Sequence, residues 1–282
     1  SENGMLDIAN IIQARNPQPM DIDINTNFRL WTRAYWENTA VAHPGVVRSP
    51  FLQLNYSTYF DKICPQSPDT LLAVIDVLFD LKMDTLVRNY LVAKMTQRFE
   101  SSKIMGMDKP FVKMVDLFYR NGLAYWESEE ALGKILDKAN ELSWNLIGSQ
   151  APNFSFTDSK GLKRNLHDVK SPFVLVVFWD ATCSHCKKTL PEVVDFYKSN
   201  KEKGLEVLAI TVETELNEWR NYLKEHDLAW INGFDNDFSK QTFRHYYYIP
   251  TTPTTLLLDA SKTILAKNLK TADYQQFVNE QP

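Results

Sequence analysis

Cysteine is scarce in this chain: among 282 residues there are three, Cys64, Cys183 and Cys186. That is too few for a disulfide-stapled scaffold and too few for a four-cysteine zinc site. Surplus charge of one sign is missing too, with 31 Lys+Arg against 35 Asp+Glu, a net charge of −4 and a pI of about 5.8. The deficit is not hidden in one half, since residues 1–147 carry −3 and residues 148–282 carry −1. A nucleic-acid binder needs a basic surface, so that class is excluded for both halves. Long apolar runs are absent: the longest, Phe173 to Trp179, has seven residues where a membrane helix needs ~20, so no membrane span is expected. No signal peptide or lipid-attachment cysteine is visible at the start. The first residue is Ser1 rather than Met, the expectation for a processed or trimmed form. Of the five histidines, His43, His167, His226 and His245 form no ligand spacing with one another, and no metal or organic cofactor is expected.

What is present is ordinary globular composition, 44% hydrophobic and 23% charged, at a length that suits two domains. The first half reads helical. Leu71, Ile75, Leu78 and Phe79 recur at helical spacing after Ser67-Pro68, a cap followed by proline at the first helical position. Leu86, Tyr90, Leu91 and Met95 continue the pattern, Pro110 opens a further segment, and Ser128 caps a helix carrying Leu132, Ile135, Leu136, Leu142 and Trp144 that Gly148 stops. Residues 27–40 and 50–63 read as two more helices. Trp31, Trp36, Trp126 and Trp144 all lie here and read as core aromatics.

Near Gly148 the periodicity changes. Phe173–Trp179 is continuously apolar, as a strand buried on both faces should be. A helix is expected from about Cys183 to Asn200, a buried strand over 205–212, a helix over 215–226, strands over 254–258 and 263–267, and a last helix over 271–279. Alternating strands and helices of this kind describe an α/β sandwich around one sheet. The domains are therefore placed at 1–147 and 148–282.

The most informative feature is the pair Cys183-Ser184-His185-Cys186. A buried strand ends at Trp179, a short loop follows, and a helix begins beside the first cysteine. A helix start offers unpaired N–H groups and partial positive charge, both of which stabilise a thiolate. Cys183 is thus the expected nucleophile, with a lowered pKa. Cys186 lies one turn further on the same face, within disulfide reach. His185, as imidazolium or as a further N–H donor, is a candidate tuner of the pair, with Ser184 beside it. A more stable reduced form would make the pair more oxidising. Metal binding by the pair, with His185 as a third ligand, and two inert core thiols are the competing readings. Cys64 stands alone before Pro65 and reads as a buried free thiol.

The stretch Phe178-Trp179-Asp180-Ala181-Thr182-Cys183-Ser184-His185-Cys186, with Pro191 five residues on, resembles a thioredoxin-fold active site. Tyr248-Ile249-Pro250-Thr251-Thr252-Pro253, leading into Thr254–Asp259, resembles that family's second landmark, a cis-proline loop that faces the cysteines. Gly148-Ser149-Gln150-Ala151-Pro152-Asn153-Phe154 is similar to the opening of the TlpA/ResA-like extracytoplasmic thiol–disulfide oxidoreductases. The resemblance covers about 148–282; the preceding half resembles the helical domain attached to such modules in Bacteroidetes proteins. It implies an all-α N-terminal domain followed by an α/β thioredoxin-like domain. It also implies catalysis by Cys183 and Cys186 and substrate binding by Thr252, Pro253 and Trp179. The partners it implies are disulfide-containing proteins and a membrane or extracytoplasmic electron donor. The location it implies is periplasmic or otherwise extracytoplasmic, with a membrane tether through a removed N-terminal segment as one arrangement.

Two departures matter. The buried acid of plain thioredoxins is replaced by Val177, and the glutamate that apocytochrome-reducing members carry after the second cysteine is replaced by Thr189. The proton acceptor is left open, with Asp180 and Glu213 as nearby candidates. Reduction of protein disulfides is the expected activity. Oxidation or isomerisation by the same pair, and a non-catalytic binding or metal-holding protein on the same scaffold, are the alternatives.

Overall fold

The computed structural model describes residues 14–19, 21–212, 216–235 and 242–279. Contacts divide the chain into two compact units, Ser1–Ala139 and Asn140–Pro282.

In the first unit the helices begin where polar caps stand. Asn27 accepts the Leu30 N–H at 3.0 Å and starts α1 (Phe28–Asn38). Ser49 precedes α2 (Pro50–Thr58), and Ser67, accepting the Thr70 N–H at 3.2 Å, precedes α3 (Pro68–Phe79). Both have proline in the first turn, where a missing N–H costs nothing. Asp84 caps α4 (Thr85–Glu100), and α5 (Asp108–Met114) and α6 (Glu129–Ser143) complete the series. α2 and α5 each widen into one π turn, Tyr59–Ile63 and Val115–Tyr119, a feature that apolar spacing does not encode.

Aromatic rings fill the centre of this unit. Trp31 stacks on Tyr35 at 5.2 Å, and Trp36 lies 5.2 Å from Tyr59. The Tyr59 hydroxyl is buried and bonds the Thr32 hydroxyl at 2.7 Å, which removes the cost of burying both. Trp31 and Trp36 are core residues, as expected from the sequence. Trp126 is only half-buried, and Trp144 is 49% exposed, which corrects the expectation that it is core. It lies just past the last turn of α6, out of phase with the stripe through Leu132, Ile135, Leu136 and Leu142.

The second unit is built on a seven-stranded sheet in the order β2-β1-β5-β4-β3-β6-β7. Its strands are β1 (Ser155–Asp158), β2 (Lys163–Asn165), β3 (Phe173–Trp179), β4 (Leu205–Thr211), β5 (Ile231–Phe234), β6 (Thr254–Leu258) and β7 (Ile264–Lys267). All seven residues of β3 are buried, since it pairs in parallel with β4 and antiparallel with β6. Val174, Val176 and Phe178 point from one face of β3 into a cluster with Phe154, Phe243 and Tyr247. The helices are α7 (Ser184–Asn200), α8 (Asn217–Glu225), α9 (Phe243–Tyr246) and α10 (Gln275–Asn279). Between α7 and β4 the chain turns at Gly204, whose φ of 86° and close approach to Pro172 leave no room for a Cβ.

The all-α unit followed by an α/β thioredoxin-like unit is the expected fold class. The β1–β2 hairpin and β5 are additional to the strands read from the sequence; none exceeds four residues, too short for a periodic signal. The division falls at Asn140, ahead of the Gly148 expected from the sequence. Asn145 explains why, since its Nδ2 donates to the Tyr246 carbonyl at 2.6 Å and its own carbonyl accepts from Lys267 Nζ at 2.6 Å. Both bonds hold the residues before Gly148 to the sheet unit.

Candidate active site

β3 delivers the chain to the top of the sheet at Trp179, and an Asx-type turn then redirects it. Asp180 Oδ1 accepts from both the backbone N–H and the hydroxyl of Thr182, each at 2.6 Å, and the Cys183 N–H donates to the Asp180 carbonyl at 3.2 Å. Cys183 is left at the N-cap of α7, and its carbonyl accepts the first helical bond from the Lys187 N–H at 3.1 Å. Its thiol is half-exposed, whereas Cys186, one turn on, is fully buried; both are free thiols.

The two thiols ionise very differently. Cys183 is drawn below its ordinary value by a hydrogen bond from the Thr252 side chain, then by the backbone N–H of Cys186, against the cost of partial burial. The Cys186 thiol and the His185 N–H add to the same effect. Cys186 moves the other way: burial pushes it up to about 11. When reduced, the Cys183 Sγ also lies 3.4 Å from the Thr252 carbonyl, to which the thiol donates. That carbonyl serves the protonated form only, so the lowering comes from the donors.

The remaining expected site residues fall as follows. Ser184 and His185 are exposed on the first turn of α7. What His185 contributes to Cys183 is its backbone N–H. Thr252 and Pro253 are half-buried, joined by a cis peptide bond, and Thr252 faces Cys183. Trp179 is a correction. As the last residue of β3 it is fully buried, its ring edge-on to Tyr222 at 5.2 Å, so it supports the site from below and cannot touch a substrate. Asp180 is adjacent to the cysteines and engaged by Thr182, while Glu213 lies outside the described residues. Cys64 is buried, as expected. Among the described residues no cluster of His, Cys, Asp or Glu has metal-binding geometry, and no helix is long and apolar enough to cross a membrane.

A cavity of about 880 Å³ adjoins Cys183, with Asp180 and Thr252 on its wall. Its other lining side chains include Glu141, Trp144, Arg244 and Tyr246. Sequence reasoning missed these four. The signals available were the phase of Trp144 and the run Tyr246-Tyr247-Tyr248 just before the Thr252-Pro253 loop.

A parallel-centred sheet with a dithiol at a helix start and a cis-proline loop facing it defines a thioredoxin-fold protein. The family model described as thioredoxin-like matches residues 172–264. Thiol-disulfide oxidoreductase ResA of Bacillus thuringiensis subsp. konkukian is 33% identical over 119 residues, 42% of this chain and 67% of that protein. ResA of a Bacillus cereus strain is 31% identical over 121 residues, 43% of this chain and 68% of that protein. A thioredoxin-like protein from Bacteroides caccae shares the fold across both units, with a TM-score of 0.70 at 22% identity, covering 93% of this chain and 96% of that one. The chain belongs to the thioredoxin-like thiol–disulfide oxidoreductases that include ResA.

Proposed function

We propose that this oxidoreductase reduces protein disulfides outside the cytoplasm through Cys183 and Cys186. The observation that carries the reading is the contrast between the two thiols: one half-exposed at a helix N-cap with a lowered pKa, the other buried with a raised one. The Cys183 thiolate attacks a substrate sulfur, forming a mixed disulfide and expelling the first substrate thiolate, which takes up a proton. Cys186 then loses its proton to solvent and attacks Cys183 Sγ. The second substrate thiolate leaves, and two electrons have passed to the substrate at the expense of a Cys183–Cys186 disulfide. No cofactor enters the cycle. Thr252 and Pro253 guide the substrate strand, while Ser184 and His185 tune the pair. An extracytoplasmic or membrane donor restores the dithiol. The location, the donor and the reductive direction rest on the resemblance to TlpA/ResA-like proteins.

Insulin or peptide disulfide reduction by wild type and by Cys183→Ser tests this. The variant is expected to lose the reaction; equal rates in the two sink the reading. Equilibration with glutathione tests direction. A potential near the thioredoxin value of about −270 mV supports a reductase, and one near about −120 mV an oxidase.

A further inference from the structure

We propose that the cavity beside Cys183 holds a basic side chain, Lys or Arg, of the substrate segment undergoing exchange. This rests on the dithiol reading above and names the substrate feature it selects. Position comes first. Asp180 and Thr252 belong both to the cavity wall and to the surroundings of Cys183, so a chain whose sulfur reaches Cys183 runs along the cavity.

The far wall is built. Trp144 is 49% exposed yet held against Tyr246, with ring centres 5.5 Å apart and planes at 74°. The next residue, Asn145, is tied to the Tyr246 carbonyl and to Lys267, each at 2.6 Å. An indole held open in this way offers a cation its electron-rich face with little ordering left to do.

Charge decides the occupant. Among the described residues the cavity is lined by the carboxylates of Glu141 and Asp180, the guanidinium of Arg244 and the imidazole of His245. Arg244 is committed elsewhere. It stacks 4.5 Å from the Phe243 ring centre, donates to the Val212 carbonyl at 2.9 Å, and lies 4.0 Å from the carboxylate of buried Asp235. With Arg244 held beside buried Asp235, the two carboxylates of the wall, Glu141 and Asp180, are left to set its charge. An acidic side chain in the cavity meets repulsion, and a basic one meets both the indole and the carboxylates.

The test uses the full chain and three peptide disulfides identical except for one residue beside the cysteine: Lys, Ala or Glu. The measured quantity is the ratio of kcat/KM values. Wild type is expected to prefer the Lys peptide over the Glu peptide by roughly tenfold, with Ala between them and the ratio shrinking in 1 M salt. Glu141→Gln and Trp144→Ala, both at exposed positions, are each expected to pull the ratio toward one. The ratio is internal to each preparation, so a change in overall activity does not mimic it. A wild-type ratio near one, a preference for Glu, or a ratio untouched by both substitutions overturns the proposal. If all three peptides exchange equally and Cys183→Ser stops them, the cavity assignment alone falls. If none exchanges, the dithiol reading falls and takes the cavity with it.

Discussion

The helical unit and the sheet unit each hold a cysteine close to a helix end, and they treat it in opposite ways. Cys64 follows the π turn that ends at Ile63; it is buried, and burial pushes its thiol up to about 12. Cys183 precedes α7, is half-exposed, and is lowered by the donors around it. The residue type is the same; the end of the helix and the access of water differ. A helix C-terminus presents carbonyls, which do nothing for a thiolate, whereas an N-terminus presents N–H groups. The two shifts thus come from burial for Cys64 and, for Cys183, from the Thr252 side chain first and the N–H groups of the helix start after it.

Alkylation of the reduced protein at neutral pH separates the two thiols most widely. Cys183 is expected to react faster than Cys64 by roughly 10³-fold or more, because the thiolate is the reacting species. Peptide mapping after a brief pulse of iodoacetamide checks this, and comparable labelling of the two sites would undo the contrast.

The next largest effects are on stability. Phe178→Ala removes a ring from the centre of the sheet unit, where it packs 5.1 Å from Phe243 and 5.2 Å from Tyr247. A loss of about 3–5 kcal/mol is expected in urea denaturation.

A pH effect follows from Cys186. Its folded pKa of about 11 lies above the ordinary cysteine value of 9.0, so the folded chain holds that proton longer than the unfolded one. Stability from this source is whole below about 9 and is lost as pH rises through about 11, on the order of 2 kcal/mol in all. Melting curves of the reduced protein from pH 8 to 11 should show a decline to which Cys64 and the buried tyrosines also contribute, and Cys186→Ala should make it shallower by the Cys186 share.

A smaller effect is expected in the helical unit. Thr32→Val leaves the buried Tyr59 hydroxyl without its 2.7 Å partner, for a loss of about 1–2 kcal/mol measured by denaturation. Restoration by Tyr59→Phe in the same chain would identify the hydrogen bond as the cause.

Much of this was legible in the residues themselves. Ser67-Pro68 marked the start of α3, seven apolar residues marked a strand buried on both faces, and C-x-x-C after that strand marked the proposed nucleophile at the start of α7. Each signal is local. The β1–β2 hairpin was not legible, because strands of four and three residues carry too little alternation. Trp179 misled in the opposite direction. Standing just before the active-site loop, it suggested a substrate contact, but side chains alternate along a strand and Tyr222, more than forty residues away, covers its ring. The cavity wall was illegible for the same reason, since it joins Trp144 to Tyr246 across a hundred residues.

The division of labour between the two active-site thiols is tested most directly by trapping. Reduced Cys186→Ala protein, mixed with a disulfide substrate and quenched with acid, should accumulate a mixed disulfide on Cys183 that wild type resolves. Mass spectrometry that finds the adduct on Cys64, or finds none while wild type turns the same substrate over, would contradict the account.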